Sequence, residues 1–280
     1  MTQFQFPAMG TQIEVWSDAN NDEQVREWFE GVEQVCSRFR SESEVSRLNR
    51  DPSPVRDIDG ILNEVIQAGS RAFELTEGLV DIGLGSTVKA WGYDRSFETI
   101  SDLAHAPETS VRGSWRLEGK LLHRTPGVSL DLGGIAKGWA SDRAVEDGMA
   151  AVVSAGGDLR SVHPDTAASV VDPAGDVVAR VHVGRGALAT SSIGRRRWRV
   201  GDTEVSHLID PRTMEPVNTP VISATVLADS AVDAEAGAKA VLLLGADGLA
   251  WAAEQIWMFA ALVIWRDGSV FATPGLEVAA

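Results

Sequence analysis

The chain has one cysteine and too few basic residues to balance its acids, and each shortage removes a class of protein. A single thiol, Cys36, excludes an internal disulfide framework and a multi-cysteine metal site. It would act as a nucleophile only with a base beside it. No histidine is paired with it by sequence, so the reading is a quiet, half-buried thiol. With 25 lysines and arginines against 40 aspartates and glutamates, the formal charge is -15, which in bulk opposes nucleic-acid backbones and anionic membrane surfaces. The local exception is the basic run 195-RRRWR-199. Membrane-length apolar runs are missing as well: Ile256 to Trp265 is short and lies between Glu254 and Arg266-Asp267, so no integral membrane segment is expected. The opening MTQFQFPAMG lacks a basic segment followed by an apolar core, so a cytoplasmic protein without a secretory leader is expected. Neither GxGxxG after a strand nor GxxxxGK[ST] occurs, which removes the usual dinucleotide and phosphate-loop signatures.

What is present is enough for a substantial core: 280 residues, 44% of them hydrophobic, suit one large domain or two intimately joined lobes. Phe4 to Trp16 alternates around a turn at Pro7 to Gly10, and Asp22 to Arg38 carries Val25, Trp28, Phe29, Val32 and Val35 at helical spacing. After Pro52 and Pro54 a second helix is predicted from Ile58 to Leu75, with Ile61, Leu62, Val65, Ile66, Ala68 and Phe73 as its buried side. The glycine-punctuated segment that follows reads as a loop anchored by Trp91 or Tyr93. Hairpins are predicted at Trp115 to His123, around 172-DPAGD-176 and around Asp267-Gly268. The arginines of 195-RRRWRV-200 belong to strands around a turn. Ser223 to Ala228 reads as a strand and Ser230 to Leu244 as an alanine-rich helix, on which Glu235 and Lys239, four apart, face each other.

The chemistry concentrates at 129-SLDLGGIAKGWASDR-143. Two apolar residues lead to Asp131, paired glycines follow, and Lys137 stands in the opening turns of a helix. Such a strand-to-helix junction can present backbone N–H groups and a lysine to an anion; it is also ordinary architecture. The turn at 155-AGGDLR-160 repeats the pattern, with Asp158 and Arg160 placed either to lock the loop or to orient a ligand. His207 precedes Leu208, Ile209 and the turn at Asp210-Pro211, a position from which an imidazole can serve as a general base.

These pieces occur in a recognisable order: 9-MGT-11, 37-SRFRSESEVSRLN-49, 76-TEGLVD-81, 129-SLDLGGIAKGWASDR-143, 155-AGGDLR-160, 207-HLIDPRT-213, and 223-SATVLAD-229 with its helix reaching Gly245. The ordered set covers most of the chain and resembles the FAD:protein FMN transferase family, often called ApbE. The resemblance implies an α+β fold related to the T-fold, with mixed or antiparallel sheets, packed helices and FAD held between lobes. It implies transfer of FMN from FAD to a threonine hydroxyl of a flavoprotein acceptor, with AMP released. The alternative is a protein that binds or hydrolyses FAD without flavinylating a partner.

Carried over residue by residue, the resemblance makes Met9, Phe39, Gly78, Leu79 and Val80 adenosine or flavin contacts, and puts Asp131 and Lys137 in the diphosphate and ribose region. Gly157, Asp158 and Arg160 support the pocket, Leu208 and Ile209 line it, and His207 activates the acceptor hydroxyl. Counting back from Gly245, the family's metal-binding aspartate is represented by Glu235, a later site position by Ala238 and the metal-binding threonine by Lys239. The remaining ligands for Mg²⁺ are then the Gly134 carbonyl and the Glu235 carboxylate, with Lys239 supplying part of the metal's charge in catalysis. A weak or altered magnesium dependence is expected, because a lysine contributes no oxygen ligand.

Overall fold

Two-residue turns in left-handed backbone shape much of the chain's largest sheet. A computed structural model describes residues 1–107, 113–194 and 196–276. The chain divides into two units: Met1–Gly31, Lys137–Gly194 and Thr219–Ala280 make one, Val32–Ala136 and Arg195–Asn218 the other.

In the first unit eight strands follow one another in space in the order of the chain: Thr2–Ala8, Thr11–Ser17, Val152–Ala155, Asp158–Ser161, Ala187–Ser192, Val221–Ala228, Met258–Trp265 and Val270–Ala272. Every neighbouring pair is antiparallel. Met9 and Gly10 (φ 52° and 69°) close the first hairpin and Gly156 and Gly157 (φ 67° and 100°) another, the backbone that suits the twist of two-residue hairpins. Helix α1 (Asp22–Cys36) sets Phe29 edge-on against Phe6 of the first strand. The hairpin around residues 172–176 forms as a separate ribbon, Ala167–Val171 with Val177–His182.

The second unit holds helices α2 (Glu44–Arg50), α3 (Gly60–Leu75) and α4 (Gly85–Ala90), with a three-stranded sheet in the order Val55–Asp57, Leu121–Arg124, Trp115–Glu118. Ser43 caps α2 by accepting from the Ser46 N–H at 3.1 Å. A ribbon of Arg197–Val200 with Thr203–Ser206 contributes Trp198, Val200 and Val205 to a core with Tyr93, Ile209 and Met214. Trp91, an expected anchor, donates its indole N–H to the Met214 carbonyl at 3.0 Å.

Helix α5 (Ala136–Glu146) opens where the chain passes from the second unit to the first. Helices α6 (Ala231–Leu244) and α7 (Gly248–Glu254) follow in the first unit. Among the described residues Ala231–Glu254 is the one helical stretch long and apolar enough to cross a membrane by length and composition. Its α6 part is buried almost all round against the eight-stranded sheet, as an apolar core helix must be, and Gly245 (φ 62°) breaks it from α7.

Four expectations are corrected. The glycine-punctuated loop contains α4, with Gly85 inside because a Cβ there would lie 2.7 Å from the Ser129 carbonyl. Phe73 is not on the buried face of α3: it is 39% exposed and meets Trp115 edge-on, while Asn63, Gly69 and Ala72 take the interior positions. Residues 129–131 do not form a regular strand. Ser129 makes an isolated bridge to Leu84, and the Leu130 backbone pairs with the side-chain amide of Asn49, which receives one hydrogen bond and donates another. Cys36 is almost fully buried rather than half-buried, and burial, with Glu44 nearby, pushes its thiol up to about 12. Arg195, in the basic run, lies outside the described residues.

Candidate functional site

The residues singled out by sequence fall into two clusters, one in each unit. In the second unit the centre is Asp131. Its Oδ1 accepts from the Gly133 N–H at 2.9 Å, which folds the Gly-Gly segment into an Asx turn ahead of α5. That donor is therefore spoken for by the chain itself. Its Oδ2 accepts from Arg38 Nε at 2.9 Å.

Arg38 was not among the sequence candidates, and it organises the rest of this cluster. Its guanidinium lies 4.2 Å from the Phe39 ring centre and 4.7 Å from that of Tyr93, and it donates to the Tyr93 carbonyl at 2.6 Å. Nη2 is buried and has no hydrogen-bond partner in the structure. The desolvated cation is held by ring quadrupoles and one carboxylate together. Tyr93 in turn meets His207 edge-on at 6.0 Å, so Phe39, Arg38, Asp131 and His207 share one neighbourhood. The only sequence signal for Arg38 was its position beside Phe39 in a polar segment, which by itself reads as a solvated face. Ile209 is buried in the adjoining core and Leu208 beside it is half-buried. Phe39 keeps 43% of its surface exposed, with the Tyr93 ring 5.4 Å from its own. Gly78, Leu79 and Val80 form the turn after α3: Gly78 has φ 83°, the Leu79 N–H donates to the Thr76 carbonyl and the Val80 N–H to Thr76 Oγ1.

In the first unit the centre is Glu235 on α6. Its Oε1 lies 3.1 Å from Lys137 Nζ of α5 and 3.1 Å from Lys239 Nζ one helical turn on. Asp158 Oδ2 stands 4.0 Å from the same Lys137 Nζ, while its Oδ1 accepts from the Thr190 N–H at 3.0 Å. Sequence spacing alone made Glu235–Lys239 a helix salt bridge; the fold buries it and adds a second lysine 98 residues away in sequence. Burial works to raise the Glu235 carboxyl, but the two lysine charges outweigh it and hold the group down to about 2. For Asp158 burial prevails, with the Glu235 charge adding to it, and the carboxyl is pushed up to about 6. Burial and the neighbouring Lys137 lower the Lys239 ammonium, against the pull of Glu235.

Asp158 and Arg160, two residues apart on one strand, do not pair with each other. Arg160 Nε instead lies 3.0 Å from Asp142 Oδ1, and its Nη1 donates to the Ser161 and Gly186 carbonyls. Asp142, on α5, accepts from the Ala231 and Val232 N–H groups at 2.7 and 3.0 Å and so satisfies the first turn of α6 from a different helix. Burial pushes the Asp142 carboxyl up to about 6 despite these bonds. A carboxyl raised above its unfolded value of 3.8 adds stability below that value, and the contribution is lost as pH rises through about 6. Subtracting the urea-unfolding profile of Asp142→Asn from that of the parent is expected to leave a slope confined to pH 4 to 6, with a total of about 3 kcal/mol. A flat difference would show that Asp142 is ionised throughout. Met9 lies in the left-handed turn between the first two strands.

Taken together, these features describe an antiparallel α+β protein with an arginine-aromatic-carboxylate cluster in one unit and a buried lysine-carboxylate cluster in the other. Residues 9–262 match the ApbE family, and the chain belongs to it. An FAD:protein FMN transferase of Rhodobacter capsulatus is 35% identical over 249 residues, which is 79% of this chain and 46% of that protein. The chain thus spans less than half the length of that relative. An FAD:protein FMN transferase of Vibrio cholerae is 30% identical over 243 residues, covering 78% of this chain and 71% of the relative. Among solved structures, the ApbE protein of Thermotoga maritima superposes with a TM-score of 0.82 at 24% identity, covering 98% of this chain and 97% of that one. The flavin transferase ApbE of Vibrio cholerae gives 0.78 at 24% identity, with the same coverage. The expected fold class, α+β with antiparallel sheets and packed helices, is borne out.

Proposed function

We propose that this chain transfers FMN from FAD to a threonine hydroxyl of a flavoprotein. The observation that carries the reading is the family match over residues 9–262, the span along which the ordered motif blocks lie. In the reaction the threonine oxygen attacks the FMN-side phosphorus of the FAD pyrophosphate. A phosphoester P–O bond forms, the bridging P–O bond breaks, and AMP leaves with that bond's electron pair. His207 takes the threonine proton, and Lys137 stabilises charge gathering on the phosphoryl oxygens. Asp131, held in place by Arg38, orients the ligand's ribose or diphosphate end, and Phe39 offers its open face to a ring. Asp158 and Arg160 support the pocket, and Met9, Gly78, Leu79, Val80, Gly157, Leu208 and Ile209 complete the contacts with FAD.

The test is incubation of the purified chain with FAD and an acceptor flavoprotein, read as an FMN-bearing threonine in the peptide mass spectrum and as AMP by chromatography. His207→Ala is expected to retain FAD binding and to lower transfer by about a hundredfold or more, the usual contribution of a positioned base. Unchanged transfer in that variant would remove His207 from the chemistry. A second reading, FAD binding or hydrolysis without flavinylation, draws support from the lysine-held Glu235, since a site altered there can keep the ligand and lose the transfer. AMP and free FMN released without a modified acceptor would favour it.

A further inference from the structure

Glu235 is poorly disposed to hold a divalent ion in this chain. Magnesium asks for oxygen ligands in near-ideal octahedral array, drawn close. Oε1 of Glu235 instead faces two ammonium groups at 3.1 Å each, and a metal ion there would sit beside two like charges. Oε2 is turned into the crossing of α5 and α6, where a Cβ on Gly138 would come within 3.1 Å of it and 3.0 Å of the Ala231 backbone; it is buried and has no hydrogen-bond partner. Among the described residues no group of three His, Cys, Asp or Glu side chains is placed to hold a metal. The residues present therefore do not fit a magnesium site built on Glu235.

The same geometry shows what occupies that position. Because the two ammonium groups share one carboxylate oxygen, Lys239 is a close neighbour of Lys137, which the FAD reading puts at the diphosphate. Exposure orders the cluster: the Lys137 and Lys239 side chains are 18% and 16% accessible, Asp158 13% and Glu235 only 6%. Glu235 is the buried anchor and the ammonium groups form the more open side. A lysine is a compact point charge with three donors, a chemistry suited to phosphate oxygens.

We infer that Lys239, anchored on Glu235 beside Lys137, supplies from the chain itself the positive charge that a divalent cation would bring to the FAD diphosphate, so that FAD is bound without metal. The inference rests on the FAD reading above. Two measurements on the 280-residue chain separate their fates: Mn²⁺ titration followed by electron paramagnetic resonance, and FAD titration by flavin fluorescence in EDTA and in excess Mg²⁺. The expected results are no Mn²⁺ bound by the free protein and FAD affinities equal within about twofold in the two buffers. Lys239→Met is expected to weaken FAD binding about tenfold or more, and Lys239→Arg to recover most of that loss. FAD binding that requires Mg²⁺, stoichiometric Mn²⁺ on the parent protein, or unchanged FAD affinity in a folded Lys239→Met variant would each overturn the inference and leave the FAD reading standing. Absence of FAD binding in both buffers would overturn both. If Lys239→Met does not fold, the two measurements on the parent decide the matter alone.

Discussion

Glu235→Ala is expected to lower the unfolding free energy at neutral pH by about 3–5 kcal/mol, the cost of breaking a buried ion pair by removing one partner. The reason is the shared oxygen. Lys137 Nζ and Lys239 Nζ both lie 3.1 Å from Oε1, and without the carboxylate two ammonium groups remain close together in a desolvated setting, with Asp158 Oδ2 4.0 Å from Lys137. Urea unfolding followed by circular dichroism checks it: the midpoint falls while the dependence on urea is kept. The double variant Glu235→Ala with Lys239→Met should recover part of the loss, because one of the stranded charges goes with the carboxylate. A single variant within about 1 kcal/mol of the parent would mean that the lysines find other partners at no cost. The pH dependence has a definite sign. Glu235 is held below its unfolded value of 4.5, so its contribution is present above that value and disappears as pH falls through about 2. Asp142 acts in the opposite sense, and the two profiles are therefore separable by variant.

Asp131→Ala is expected to cost at least about a hundredfold in FAD affinity, or roughly 2.7 kcal/mol. Two things are lost at once. The Gly133 N–H loses the side-chain acceptor that shapes the segment leading into α5, and Arg38 loses the carboxylate that holds its guanidinium between Phe39 and Tyr93. Asp131→Asn keeps an acceptor for Gly133 and removes the charge facing Arg38. Its loss of affinity is expected to be smaller, about tenfold, with the circular dichroism spectrum of the parent. Isothermal titration with FAD measures both. Affinities unchanged in a folded Asp131→Ala variant would remove Asp131 from the flavin site and leave it as a turn residue.

Much of the architecture was legible because its causes are local. Met9-Gly10, Gly156-Gly157 and Gly119 mark tight turns because backbone with positive φ is cheap at glycine, and the strands on either side follow from alternation. The helical spacing of Val25, Phe29 and Val32 in α1, and of Leu62, Val65 and Ile66 in α3, gave elements within a few residues of those observed. The chemistry of the candidate site was partly legible too, since Asp131, Lys137, Asp158 and His207 stand at turn, strand-end or helix-start positions from which a side chain can be aimed, while Glu235 lies inside α6.

What sequence spacing could not decide is which of these groups meet. Glu235 and Lys239 read as a helix pair four apart, and i, i+4 geometry is the same on either face of a helix; only the packing of α5 on α6 brings Lys137 to the same oxygen and takes the pair out of water. Asp142 caps a helix that begins 89 residues later, and Arg160 turns to that carboxylate instead of Asp158. Arg38 lies 93 residues from the aspartate it holds. The opening junction around Asp131 shows both sides. Its aspartate, glycines and lysine are determined by the sequence, because an Asx turn and a helix start need only near neighbours. Whether the lysine faces a ligand, a metal or a carboxylate depends on long-range contacts, and in this fold it faces Glu235 together with a second lysine.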